Sequence, residues 1–189
     1  DEFNNRVGFF NYVAPHESMV INSQAEIIVK KINPPNEELV DKNEWTILDI
    51  TSQNIDYMHF LNVENFFAKN KFKKILNELK DDGDSVLNFS KKLCEYVNHN
   101  FNYEKGVTNI FSTLDEVWKL KSGVCQDFTN ILIQLCRLSK IPSRYVSGYV
   151  YPKGGLLGSG ATHAWVEVYL PNYGWLGLDP TNNCIADEC

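Results

Sequence analysis

Three residues of this chain have types and positions that could combine into nucleophilic chemistry: Cys125, His163 and Asp179. Cys125 follows the break Lys121-Ser122-Gly123 and opens a run in which Phe128, Ile131, Leu132 and Leu135 recur at helical spacing. A thiol attacks only as thiolate. At a helix N-terminus the unpaired backbone N–H groups and the helix dipole favour a negative charge. The same N–H groups can hold an oxyanion formed on a substrate carbonyl. An effective thiolate also needs an imidazole, and the imidazole needs a third group to orient it. His163 begins one strand-like run and Asp179 ends the next, with Pro171-Asn172-Tyr173-Gly174 as a turn between them. A hairpin brings the start of one strand beside the end of its partner. His163 and Asp179 are therefore expected to be neighbours across the ladder.

Each residue also has a plainer role. A cysteine at a helix start is most often structural. An aspartate before proline is most often a turn former. The order Cys…His…Asp, each at an element boundary, is what favours chemistry.

The remaining elements must position these three. Residues 1–35 read as strands, with Phe9, Phe10, Tyr12 and Val13 as one apolar patch and partial alternation from Ala25 to Ile32, stopped by Asn33-Pro34-Pro35-Asn36. Residues 36–70 are mixed and aromatic (Trp45, Tyr57, Phe60, Phe66, Phe67) and read as loops with a short helix. After Asp81-Asp82-Gly83-Asp84, the spacing of Val86, Phe89, Leu93 and Val97 predicts a helix over Ser85–Asn100, capped at Asp84 or Ser85. Thr113 and Glu116 have capping-box spacing for a short helix ending near Leu120. The Cys125 helix stops at Ile141-Pro142. Tyr145–Tyr151, His163–Leu170 and Trp175–Leu178 read as three strands. Pro152–Gly160 holds four glycines and reads as a mobile loop that either gates a cleft or is an ordinary hairpin connection.

Composition bounds the function. The chain has 189 residues, enough for one sizeable core, and a formal charge of -6 with scattered basic residues. That leaves no footprint for nucleic acid. No apolar run has the length of a membrane span, and no signal peptide is evident, so neither a membrane nor a nucleic-acid partner is expected. A trimmed N-terminus would also begin without Met, as this one does at Asp1. The five cysteines (Cys94, Cys125, Cys136, Cys184, Cys189) are odd in number and lack CxxC spacing. They read as free thiols rather than a disulfide framework or zinc site, which leans toward the cytoplasm. No metal or cofactor is expected.

Four blocks carry a family resemblance. Gly123-Val124-Cys125-Gln126-Asp127-Phe128 resembles the nucleophile motif of bacterial transglutaminase-like proteins. Ile141-Pro142-Ser143-Arg144-Tyr145-Val146-Ser147-Gly148-Tyr149 resembles the strand that follows it. His163-Ala164-Trp165-Val166-Glu167-Val168-Tyr169 looks like the histidine strand, and Gly174-Trp175-Leu176-Gly177-Leu178-Asp179-Pro180-Thr181 like the aspartate strand. Together they cover about residues 85–183. Tyr12 to Val29 also resembles the end of the β-rich region often found before this domain.

The resemblance implies an α+β, papain/transglutaminase-like fold, with a nucleophile helix packed on an antiparallel sheet. It divides the chain into a partial β-rich segment, 1–70, and a transglutaminase-like catalytic domain, 71–189. It implies Cys125 as nucleophile, His163 as general base and acid, and Asp179 as its orienting partner. The second oxyanion donor is open between Tyr103 and the Gln126 side chain. Asp127 and Arg144 are expected to pair and brace the helix, with Trp165 and Trp175 in the core or cleft wall. Gln126 stands where animal transglutaminases carry tryptophan, and no EF-hand calcium loop is readable. Both features favour a metal-independent bacterial-type enzyme over protein cross-linking. Family members often continue with further strands, so a partial domain is expected. The implied activity is thiol-dependent acyl transfer at an amide bond of a peptide or protein. Hydrolysis by a cysteine peptidase or amidase comes first, transfer to an amine second, and a non-catalytic binding module on the same fold third.

Overall fold

A computed structural model describes residues 5, 7–22, 24, 26, 32–35, 43–150, 156–157 and 162–186. In chain order these hold α1 (Glu44–Thr51), α2 (Ile55–Met58), a 3-10 turn (His59–Leu61), α3 (Lys69–Leu79), α4 (Val86–Asn100), β1 (Asn102–Tyr103), α5 (Leu114–Leu120), β2 (Ser122–Gly123), α6 (Cys125–Leu138), β3 (Ser143–Tyr149), β4 (Thr162–Leu170), β5 (Gly174–Asp179) and β6 (Cys184–Ile185).

The helix starts follow from their capping residues. Ser85 Oγ accepts the Asn88 N–H at 3.0 Å and fixes the start of α4. At α5 the capping box closes in both directions: Thr113 Oγ1 accepts from the Glu116 N–H, and the Glu116 carboxylate accepts from the Thr113 N–H at 2.7 Å. α6 has an apolar residue, Val124, at its N-cap, so the carboxylate comes from inside the first turn: Asp127 Oδ2 accepts the Val124 N–H at 2.8 Å.

β3, β4, β5 and β6 form an antiparallel sheet in that order. α6 packs across β3 and β4. On β4 the even-numbered residues Ala164, Val166, Val168 and Leu170 are buried, as are Leu176 and Leu178 of β5. All of these but Ala164 share one core with Phe128, Ile131, Leu132 and Leu135 of α6, and with Phe89, Leu93 and Val97 of α4. Each such side chain contributes about 1.5–3 kcal/mol by leaving water. The outcome is a rigid platform under the start of α6. β1 pairs parallel with β2, and its register sets Tyr103 opposite Gly123, just before Cys125.

Several expectations need correction. The described residues among 1–35 form no strand, and Phe9, Phe10, Tyr12 and Val13 are exposed. A strand needs a partner to bury such side chains, and alternation alone does not supply one. Most of Ala25–Ile32 lies outside the described residues. The chain divides into compact units at Asp1–Lys31 and Ile32–Cys189, not at residue 70. Glu44–Leu61 is helical rather than β-rich: Trp45 is anchored through its Nε1–H to the Asp84 carbonyl at 2.8 Å, which ties this stretch to the start of α4. Cys184 is disulfide-bonded, while Cys94, Cys125 and Cys136 are free. The free-thiol argument for a reducing compartment therefore loses Cys184. No helix among the described residues is long and apolar enough to cross a membrane.

Candidate active site

Cys125 is the first residue of α6 and is half-buried. Burial opposes its ionisation, yet its pKa lies below the ordinary thiol value. His163, the main-chain N–H of Ala164 and the main-chain N–H of Gln126 outweigh the burial. Two of these donors are backbone groups, one from the helix start and one from β4. The sulfur thus sits where the strand and the helix N-terminus converge.

His163 and Asp179 are each only 2% exposed. Across β4 and β5 the last recorded pair is Val166↔Leu178, so Asp179 lies diagonally from His163 rather than directly opposite. The diagonal suffices: His163 Nε2 and Asp179 Oδ2 are 2.7 Å apart. With Asp179 accepting, Nε2 carries the proton and Nδ1 is the nitrogen left over. Nδ1 is buried and has no hydrogen-bond partner in this state. The thiol is close enough for the imidazole to lower its pKa, but the pair is not in the alignment of a closed hydrogen bond. Such contacts commonly tighten only when substrate is bound. Burial alone would lower the His163 pKa. The Asp179 hydrogen bond and the neighbouring thiol reverse that and raise it to about 9.

Glycines make the imidazole's surroundings possible. Gly148 pairs with His163 across β3 and β4, and a Cβ there would run into the Trp165 ring. A Cβ on Gly177 would meet the same indole at 3.4 Å. The ring so accommodated lies 6.4 Å from the His163 ring at an interplanar angle of 29°. Trp165 thereby walls one side of the imidazole.

The structure brings together Cys125, His163 and Asp179, the three residues expected to meet. Tyr103 is close too: burial first, and then the Cys125 charge, raise its pKa. For Gln126 it is the backbone N–H, not the amide, that reaches the sulfur. The expected Asp127–Arg144 brace is not formed. Asp127 Oδ2 instead accepts from Thr108 Oγ1 at 2.6 Å as well as from Val124. Arg144 pairs with Glu167 at 2.6 Å and stacks 4.3 Å from the Trp175 ring. β4 pairs Glu167 directly opposite Arg144, so the strand register decides this ion pair.

Sequence reading missed three contributors. The Ala164 N–H has no signature, since any residue supplies one. Tyr145 on β3 has its pKa raised by burial and by the charges of Cys125 and Asp127, so it flanks the thiol on another side. Asn182 donates to Asp179 from its backbone at 3.3 Å and from its side chain at 2.7 Å. Its signature was available: a polar turn after Asp179-Pro180, where side chains fold back on the backbone. Among the described residues no cluster of three or more His, Cys, Asp or Glu could hold a metal. A cavity of about 490 Å³, lined by Glu64, Phe67, Asp115, Asp127 and Asn130, borders the first turns of α6.

A model of the transglutaminase-like superfamily matches residues 73–180. The chain belongs to the transglutaminase-like superfamily. Its structural neighbours agree on the fold. A candidate cysteine protease from Cytophaga hutchinsonii superposes with a TM-score of 0.59 at 26% identity, covering 70% of this chain and 44% of that one. The periplasmic domain of TgpA from Pseudomonas aeruginosa gives 0.52 at 24% identity, over 67% and 49%. The transglutaminase-like chain described here therefore has the α+β, papain-like architecture that the four sequence blocks implied. An uncharacterized protein of Mycobacterium tuberculosis is 27% identical over 218 residues, covering all of this chain and 64% of that protein. The chain thus spans just under two thirds of that relative's length. A protein-glutamine gamma-glutamyltransferase of Pseudomonas aeruginosa is 36% identical over 73 residues, 35% of this chain and 11% of that enzyme.

Proposed function

We propose that this transglutaminase-like chain is a thiol-dependent enzyme that cleaves an amide bond in a peptide or protein through a thioester acyl-enzyme. The supporting observation is the arrangement of one imidazole: Nε2 clamped by a buried carboxylate at 2.7 Å, Nδ1 buried and unpartnered beside a thiol of lowered pKa. Cys125 thiolate attacks the carbonyl carbon and forms the C–S bond. The oxyanion is held by main-chain N–H groups that open α6, with Tyr103 as the further donor. The His163 imidazolium gives its Nδ1 proton to the leaving amine as the C–N bond breaks. Neutral His163 then takes a proton from water, which attacks the thioester and returns the acid and the free thiol. Asp179 accepts from Nε2 and so holds the tautomer throughout.

Transfer to an amine is the second reading, favoured by the likeness to the glutamine gamma-glutamyltransferase. It differs only in what resolves the thioester.

The test is the pH dependence of iodoacetamide alkylation of Cys125, mapped by mass spectrometry, for wild type and His163→Ala, followed by peptide substrates with and without a fluorescent primary amine. Labelling of Cys125 well below pH ~8.5, slowed by His163→Ala, is expected. Peptide cleavage without amine capture supports the hydrolase, and amine incorporation supports the transferase. Labelling that ignores His163 would leave the fold as a binding module.

A further inference from the structure

Asn182 is not one of the three residues above, yet it touches Asp179 and the Leu157 main chain at the same time. Its side-chain amide makes three hydrogen bonds. Nδ2 donates to Asp179 Oδ2 at 2.7 Å and to the Leu157 carbonyl at 3.2 Å. Oδ1 accepts from the Leu157 N–H at 2.9 Å. We infer that Asn182 is a positioning residue that couples the Leu157 main chain to the orientation of the Asp179 carboxylate, and through it to His163. The inference rests on the thiol-enzyme reading.

Amide chemistry makes the coupling directional. An asparagine side chain has a donor end and an acceptor end, and the Leu157 peptide offers one partner to each. That pairing admits a single orientation of the amide. Rotated by half a turn, Oδ1 would face both the Asp179 carboxylate and the Leu157 carbonyl, and Nδ2 would face the Leu157 N–H. Like would oppose like at every contact. Leu157 therefore holds Asn182 in the orientation that donates to Asp179.

Asp179 in turn depends on that donor. Its Oδ1 is satisfied by the backbone, from Thr181 at 2.9 Å and Asn182 at 3.3 Å. Its Oδ2 has two side-chain donors, His163 and Asn182. Two donors on one oxygen fix the carboxylate's rotation as well as its place. The turn carrying Asn182 is anchored separately, by Asn98 Nδ2 donating to the Pro180 and Thr181 carbonyls at 3.1 and 3.0 Å. The backbone therefore stays put when the Asn182 side chain is changed, and the amide alone is under test. Loss of the amide lets the carboxylate turn, loosens control of the His163 tautomer, and weakens the thiolate at Cys125. Leu157 is 40% exposed, so groups arriving from solvent can act on this link.

The test is the pH profile of Cys125 alkylation in wild type, Asn182→Ala, Asn182→Asp, Leu157→Pro and the Asn182→Ala/Leu157→Pro double variant. The buried thiols Cys94 and Cys136 label only if the fold opens, so they monitor folding in the same sample. Asn182→Ala is expected to slow Cys125 labelling about tenfold near pH ~7, the scale of an outer-sphere positioning contact. Asn182→Asp is expected to be slower still at neutral pH, where two carboxylates oppose each other. It should recover toward acidic pH, where one protonated carboxyl can donate; wild type lacks that limb, and a purely structural role would not create it. Leu157→Pro removes the N–H that Oδ1 accepts while touching nothing in the triad. It should slow labelling in the same direction, and the double variant should be no slower than Asn182→Ala. Asn182 variants that track wild type with Cys94 and Cys136 protected would overturn the positioning role. An unchanged Leu157→Pro, or full additivity in the double variant, would overturn the coupling. A wild-type Cys125 with an ordinary thiol profile would sink the enzyme reading and this inference with it.

Discussion

α6 carries a thiol near each end, and the two are opposites. Cys136, fully buried near the C-terminal end, has its pKa pushed up to about 12 by burial. Cys125, half-buried at the N-terminal end, has its pKa lowered although burial opposes ionisation there as well. Helix and neighbouring sheet are shared, so the contrast lies in the depth of burial and in the donors. Cys125 has an imidazole and two main-chain N–H groups. Cys136 has apolar neighbours, and its own turn satisfies its carbonyl, which accepts from the Ser139 and Ile141 N–H groups at 3.0 Å. Position on the helix matters because N–H groups are unpaired only at the start. The strand matters because it brings His163 and the Ala164 N–H to that same place. A third thiol sharpens the point: burial first, and then the negative charge of Asp179, raise the Cys94 pKa, so a carboxylate with no imidazole between it and the sulfur works against the thiolate. Proximity to the acid alone does not activate a thiol.

The largest expected effect removes the imidazole. With the pKa of a free thiol near 8.5, only about 0.3% of Cys125 would be thiolate at pH ~6. His163→Ala should therefore cut Cys125 alkylation at that pH by about a hundredfold, toward the profile of an unassisted thiol. Alkylation rates from pH ~5 to 10 check this. An unchanged rate would mean that His163 does not activate Cys125, the outcome that leaves the fold as a binding module.

Asp179→Asn should come next, with Cys125 alkylation slowed about tenfold and turnover on any peptide substrate slowed further, since the amide stabilises the wrong tautomer. The wild-type profile should have a second change near pH 9, where His163 loses its proton. In Asp179→Asn that change should move to lower pH, and a profile still breaking near 9 would assign it to another group.

The same pair should appear in stability. The folded His163 pKa of about 9 exceeds the unfolded value near 6.5. The sign follows: the imidazolium's contribution is fully present below about 6.5 and is lost as pH rises through the folded pKa. In a Cys125→Ala background, where no thiol titrates beside the ring, the melting temperature should fall by a few degrees over a window opening near pH 6.5 and closing at or below about 9. Asp179→Asn added to that background should flatten the fall.

Much of this contrast was readable from residue types. The 3.6 period of Phe128, Ile131, Leu132 and Leu135 marks α6 because one helix face must be buried, and the break at Gly123 marks its start. The hairpin turn at Pro171–Gly174 brings Asp179 back toward His163, although the register makes them diagonal. Contributions made by the backbone were not readable, since an N–H such as that of Ala164 is common to every non-proline residue. Arg144 was misassigned because both Asp127 and Glu167 are plausible acids, and only the β3–β4 register selects Glu167. The apolar residues at Phe9–Val13 misled for the opposite reason: they have strand composition, but the described residues there find no partner strand to bury them.

The smallest expected effect lies at the other end of α6. Cys136→Ala removes a buried sulfur and leaves a void about the size of one atom, costing roughly 1–2 kcal/mol of stability at a closely packed site. Cys136 touches none of the donors at Cys125, so the Cys125 alkylation profile should stay within about twofold of wild type, as for independent sites. Thermal melts and alkylation rates on the same preparation separate the two quantities. A lowered melting temperature with an intact Cys125 profile would show that the helix start is set by its local donors. A Cys125 profile that shifted with Cys136→Ala would mean that core packing eleven residues away helps to set the helix N-terminus. Activation of the thiol would then be a property of how α6 sits on the sheet rather than of the groups around the sulfur.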